Sequence, residues 1–352
     1  MAQSREMTSG PSLPLILNFT FPLLLGNLLQ QTYSLVDAAI VGKFLGINAL
    51  ASVGASTSVV FLILGFCNGC CGGFGIPVAQ KFGARDYVTM RRYVSVSLKL
   101  AAVMSVAVAI VTSLLCGFIL RSMRTPENIF EGAYLYLLIT FIGVPCTFFY
   151  NLLSSIIRAL GDSKTPFWFL LFSTILNIVL DLFCILTLGW GVAGAAIATA
   201  ISQAVSTLIY LYYVISGRSM FSFRFRNCCF SNEIMSEILK IGIPTLAFQL
   251  LTSLSITMIN MQAKPYGDSV IAGMGAVTRM ISLGSLMVFG FIKGFQPIAG
   301  YNYGAGNYER LHEAIRISVV WSTLFCAVFG LTMAVFSGPV ISRFTKNDME
   351  MI

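Results

Sequence analysis

Phe167-Trp-Phe-Leu-Leu-Phe-Ser-Thr-Ile-Leu-Asn177-Ile-Val-Leu-Asp181-Leu-Phe-Cys-Ile-Leu-Thr-Leu188 is a long apolar run carrying one charged residue, Asp181. As a helix rising 1.5 Å per residue it spans about 33 Å, enough to cross a bilayer core of about 30 Å. An acid inside such a segment costs roughly 2.5–3.5 kcal/mol on insertion scales, so it is an ion or proton site by default. Asn177, four residues earlier, falls on the same helix face one turn away.

Runs of this kind recur on both sides. Nine spans can be drawn, approximately Leu15–Val41, Leu50–Gln80, Tyr93–Leu120, Ala133–Ile157, Phe167–Leu188, Val192–Ile215, Leu239–Gln262, Val270–Gly300 and Ile315–Ser342. The 352 residues are 57% hydrophobic and only 10% charged, against about 25% charged in soluble domains. The expected fold is therefore an all-α polytopic membrane protein. A signal peptide is excluded for the first run, because many more apolar runs follow it. The longest polar stretch, Ser216–Ser236, separates the sixth span from the seventh. It divides the chain into a six-helix lobe (1–215), a linker on the cytoplasmic side (216–238) and a three-helix lobe (239–352).

The net charge of +8 does not imply nucleic acid, because the basic residues form neither patch nor tail. The N-terminus and even-numbered loops hold thirteen of them: Arg5, Lys81, Arg85, Arg91, Arg92, Arg158, Lys164, Arg218, Arg224, Arg226, Lys240, Arg310 and Arg316. The opposite side holds six, namely Lys43, Arg121, Arg124, Lys264, Arg343 and Lys346. Positive loops stay inside, so the N-terminus is expected in the cytoplasm and the chain in the cell membrane, as a monomer. The nine cysteines lie mostly in apolar runs and read as free packing residues. Cys67-x-x-Cys70-Cys71 has no nearby histidine, since the only one is His312, so a zinc site is not expected.

The chain repeats itself. Pro77-Val-Ala-Gln-Lys-Phe-Gly83-Ala84 returns as Pro297-Ile-Ala-Gly-Tyr-Asn-Tyr-Gly304-Ala305, and Tyr87 and Ser97 return as Tyr308 and Ser318. Pro22 pairs with Pro244, and Ala51, Gly54 and Ala55 with Ala272, Gly275 and Ala276. Six spans per repeat make the copies parallel, which defines two lobes with substrate held between them. Two full repeats would need roughly ninety more residues, so three helices of the second are expected to be missing.

The chemistry concentrates in the first repeat. Asp37 and Asp181 both lie about 8–10 Å below the outer surface, Asn177 is one turn deeper, and Thr199 lies about 13 Å down the next helix. Carboxylate, amide and hydroxyl oxygens suit a hard cation such as Na+. The same acids can instead take up a proton. The sequence leaves both ions open. Asn177 and Thr199 also have an ordinary reading as polar glue between helices. Gly65, Gly69, Gly72, Gly73 and Gly75 read as close helix packing, and Pro22, Pro145 and Pro244 as kinks.

Taken in order, Val36-Asp37-Ala-Ala-Ile-Val-Gly42, Pro77–Ala84, Arg158-Ala-Leu-Gly-Asp162-Ser-Lys-Thr-Pro166, Asn177-x-x-x-Asp181 and Gly294-Phe-Gln-Pro297 running to Ala305 resemble the multidrug and toxic compound extrusion (MATE) family, in its DinF-like branch. The resemblance implies two six-helix lobes, of which about nine helices are present here. It implies export of small lipophilic, often cationic compounds in exchange for Na+ or H+, with no enzymatic activity and no other cofactor. It makes Asp37, Asn177, Asp181 and Thr199 the coupling-ion ligands and Pro22 the bending point of the first helix. A flippase for a lipid-linked precursor is the alternative. It would need several cations in its cavity, for which Arg279 and Lys293 are the candidates. An intramembrane aspartyl protease would need a Gly-x-Gly-Asp motif that the chain lacks. A passive channel fits a two-lobe repeat poorly.

Overall fold

The computed structural model describes residues 7, 10–217, 232–263 and 268–336. Among them are nine α-helices and no strand: α1 (Ser12–Leu45), α2 (Ile47–Gly83), α3 (Tyr87–Ser122), α4 (Glu127–Ala159), α5 (Lys164–Leu182), α6 (Gly191–Ile215), α7 (Asn232–Ala263), α8 (Asp268–Gly304) and α9 (Tyr308–Val335). A π-turn, Phe183–Thr187, continues α5. The parts of the expected linker at 218–231 and of the ninth span beyond Phe336 lie outside the described residues. α7 begins at Asn232, within the stretch 216–238.

Among the described residues, eight helices are long and apolar enough to cross a membrane. α7 was also drawn as a span, and at 32 residues it has the length of one. Its hydroxyls and amides, Thr245, Gln249, Thr252, Ser253, Ser255, Thr257, Asn260 and Gln262, are interleaved with leucine, isoleucine, phenylalanine and methionine. Side chains confirm a multi-pass membrane protein, because the outer surface is apolar. Leu114 is 79% exposed, with Phe118, Ile110 and Val111 beside it on α3. Such a continuous apolar surface belongs against lipid. Trp168 and Trp190 stand exposed near opposite helix ends, as interfacial aromatics do.

α4 is the hub of the first six helices and packs on α2, α3 and α6. Phe141, Phe148, Leu152, Leu153 and Ile156 on α4 meet Phe74 on α2 in one buried cluster. Lipid supplies no hydrophobic drive between helices, so close backbone approach and polar bonds hold them together. Gly75 leaves room for Ser155 Oγ, and Gly143 for Ala200. Ser52 Oγ donates to the Ile129 carbonyl at 3.2 Å, and Thr207 Oγ1 to the Cys146 carbonyl at 3.1 Å. Cys67, Cys70 and Cys71 are buried free thiols.

The repeat read in the sequence is also a repeat in space. Asp86 caps α3 by accepting from Thr89 N, and Asn307 caps α9 by accepting from Arg310 N. The residue before each cap is left-handed: Arg85 at φ +57° and Gly306 at φ +71°. The two copies then pack on each other. A side chain at Gly83 would strike the Tyr301 backbone, and one at Gly304 the Gln80 backbone. Gly300 abuts Ala79, Gly73 abuts Gly242, and Gly290 and Gly294 abut Leu24 and Thr20. All these approaches join α1 or α2 to α7 or α8 in the half of the bundle nearest Ser12 and Gly83.

Candidate functional site

The two acids meet at the opposite end. Measured from the far helix ends, Asp37 lies eight residues before Leu45, Asp181 six before Thr187 and Thr199 eight after Gly191, which puts all three about 9–12 Å deep. α1, α5 and α6 pack together there, so the shared depth becomes a shared site. The carboxyls of Asp37 and Asp181 face one another. Asp181 is fully buried and Asn177 nearly so, while Asp37 is half-buried. The π-turn starts two residues after Asp181, and such turns recur at functional sites because they re-aim nearby side chains.

Asn177 connects the set. In the amide orientation that satisfies all its neighbours, its nitrogen donates to Asp181 Oδ2 at 2.9 Å and to the Tyr33 hydroxyl at 3.3 Å. Its oxygen accepts from Thr199 Oγ1 at 3.2 Å. Tyr33 and Thr199 hydroxyls are themselves 3.2 Å apart. All four expected ligands therefore come together, with Tyr33 added. Tyr136 on α4 also lies within electrostatic reach of both acids. Sequence reasoning missed both tyrosines. Tyr33 had a signal, since it stands four residues before Asp37 and so on the same face. Tyr136 had none until the packing of α4 on α2 and α6 carried it to the cluster around Ile40 and Val41.

Two oxygens of this cluster, Asp37 Oδ1 and Asp181 Oδ1, are buried with no hydrogen-bond partner among the described residues. A buried acceptor without a donor is costly. Two carboxylates with acceptor oxygens to spare are what a hard cation or a shared proton satisfies. Pro22 lies inside α1, fifteen residues before Asp37 and on the half of the helix that contacts α8. On α7 and α8, Met258 and Met287 are exposed, while the side chains of Gln249, Asn260 and Met261 lie outside the described residues.

A multi-pass membrane protein whose described elements are all helical, with an internal repeat and two facing acids at one end, belongs to the class of secondary transporters. The family model MatE matches residues 22–183 and 244–352, and the chain belongs to this family, whose members are transporters and not enzymes. It is 33% identical over 312 residues to "Probable multidrug resistance protein YpnP" of Bacillus subtilis, covering 87% of this chain and 68% of that protein. "Multidrug export protein MepA" of Staphylococcus aureus is 25% identical over 325 residues, covering 91% and 72%. Among solved structures, "Outward-facing conformation of a multidrug resistance MATE family transporter of the MOP superfamily" superposes with a TM-score of 0.89 at 27% identity, covering 99% of this chain and 77% of that one. "Crystal structure of MATE in the bent conformation" gives 0.91 at 27% identity, covering 97% and 77%.

Proposed function

We propose that this chain is the cation-coupled part of a multidrug exporter, working by alternating access between residues 1–215 and 239–352. It sits in the cell membrane as a monomer, with the N-terminus inside. The observation that carries the reading is the buried Asp37–Asp181 pair, with Asn177, Thr199 and Tyr33 around it. Na+ or H+ entering from outside binds this cluster and neutralises it, and the lobe loosens its hold on a lipophilic cation. The cargo leaves outward, the lobes rock about their shared face, and the ion is released inside. Inward charge movement then draws about 2.3 kcal/mol per charge per 100 mV from the membrane potential. Pro22 lets α1 bend as the ion site fills.

The names of the relatives support efflux of drugs over flipping of a lipid-linked precursor. The test is drug efflux from everted vesicles, with proton and sodium gradients imposed separately. Asp37→Asn and Asp181→Asn should each reduce gradient-driven efflux to the level of vesicles lacking the protein. Undiminished gradient dependence in both variants would remove the coupling role from these acids.

A further inference from the structure

A second polar pocket lies between the lobes, on the side of the molecule away from the acids. Asn68, Asn151, Ser155, Arg158, Lys293 and Gln296 supply its polar groups. α2 and α4 form one wall and α8 the other. It holds about 70 Å³, several times the ~10–15 Å³ that one water needs. No acid lines it. Arg158 donates to Ser154 Oγ, and neither Arg158 nor Lys293 has a carboxylate partner among the described residues. The groups acting electrostatically on Arg158 are Tyr210, Tyr150 and Cys71, and the one acting on Lys293 is Arg158 itself.

Two cations thus face each other across the boundary along which the lobes close. Lys293 is exposed and Arg158 half-buried; like charges facing each other repel, and Lys293 lies inside a drawn span, where a charge is costly. An oxyanion between them reverses both terms. Arg158 offers a planar fork of donors and Lys293 a point charge, while the amides of Asn68, Asn151 and Gln296 and the Ser155 hydroxyl add neutral donors. We propose that this inter-lobe pocket binds a phosphate-type anion, free or on a lipid headgroup, between Arg158 and Lys293. The bound anion clips α4 to α8 and favours the arrangement in which the lobes are sealed at the Ser12 end. This inference is independent of the coupling site and is read by binding alone, so either can fail without the other.

The test is thermal unfolding of the purified protein in neutral detergent, followed by tryptophan fluorescence. The probes are inorganic phosphate against chloride at equal ionic strength, and short-chain phosphatidylglycerol against phosphatidylcholine. Phosphate or phosphatidylglycerol should raise the midpoint by about 2–4 °C, as expected for a ligand that binds only the folded state. A rise with phosphate identifies the free anion, and a rise with phosphatidylglycerol alone identifies the headgroup. Lys293→Gln should lose the rise and Lys293→Arg keep it. If Lys293→Gln fails to fold, Gln296→Leu serves in its place, with a reduced rise. No rise with either probe, or an equal rise in the Lys293 or Gln296 variant, overturns the proposal.

Discussion

Asp181 is enclosed on all sides, yet it keeps an oxygen without a donor. Its neighbours fix the geometry of that vacancy in the bonding pattern. Tyr33 is the link most open to test, because its hydroxyl reaches both Thr199 and the Asn177 amide. Tyr33→Phe removes one oxygen and leaves the ring. A single hydrogen bond is worth about 0.5–1.5 kcal/mol, so the apparent ion affinity of efflux should weaken roughly threefold to tenfold while the protein still folds. The measurement is drug efflux as a function of imposed Na+ or H+ concentration. The acids could be read from the sequence because a charge in an apolar run is conspicuous, and Asn177 because it shares their helix face. The tyrosines were hidden because an aromatic hydroxyl in such a run is ordinary. Thr199 was legible from its depth alone, while Tyr136 gains its meaning only from the packing of α4 on α2 and α6.

At the level of elements, the helices were legible from apolar length and their ends only coarsely. α1 extends from Ser12 to Leu45, past both limits of the drawn span, because the interfacial turns of a membrane helix need not be apolar. α7 was drawn from Leu239 but begins at Asn232, because its first turn is polar and the apolar run starts later. The caps were not read at all, although both are Asx residues at equivalent places in the repeat. Asn307→Ala should cost about 1 kcal/mol and lower the unfolding midpoint by a few degrees. Asp86, the matching cap, has its carboxyl held below the usual range by the bond to Thr89. Its contribution is therefore complete above the ordinary carboxylate range and is lost as pH falls through the depressed value. Asp86→Asn should flatten that acid-limb loss in a pH series of unfolding midpoints. Pro22→Ala restores a backbone donor to α1 and straightens it. It should leave the unfolding midpoint unchanged or higher while lowering ion-driven efflux.

The whole molecule is held shut at one end by backbones in near contact. The Gly73–Gly242 approach leaves no space for a side chain: a Cβ on Gly73 would come within 2.5 Å of the Gly242 Cα. Gly73→Val should prise the lobes apart there. Spin labels on Ala84 and Ala305, both exposed on loops at this end, should then show a longer and broader distance distribution than in the unaltered protein. An unchanged distribution would mean that the seal lies elsewhere.

The mutual fit of Gly83 on Tyr301 and Gly304 on Gln80 has a further meaning. Each half of the chain recognises in the other a version of its own surface, which is the geometry of an isologous dimer. Carried within one chain, that self-complementary patch holds its two copies together without any need for a second molecule.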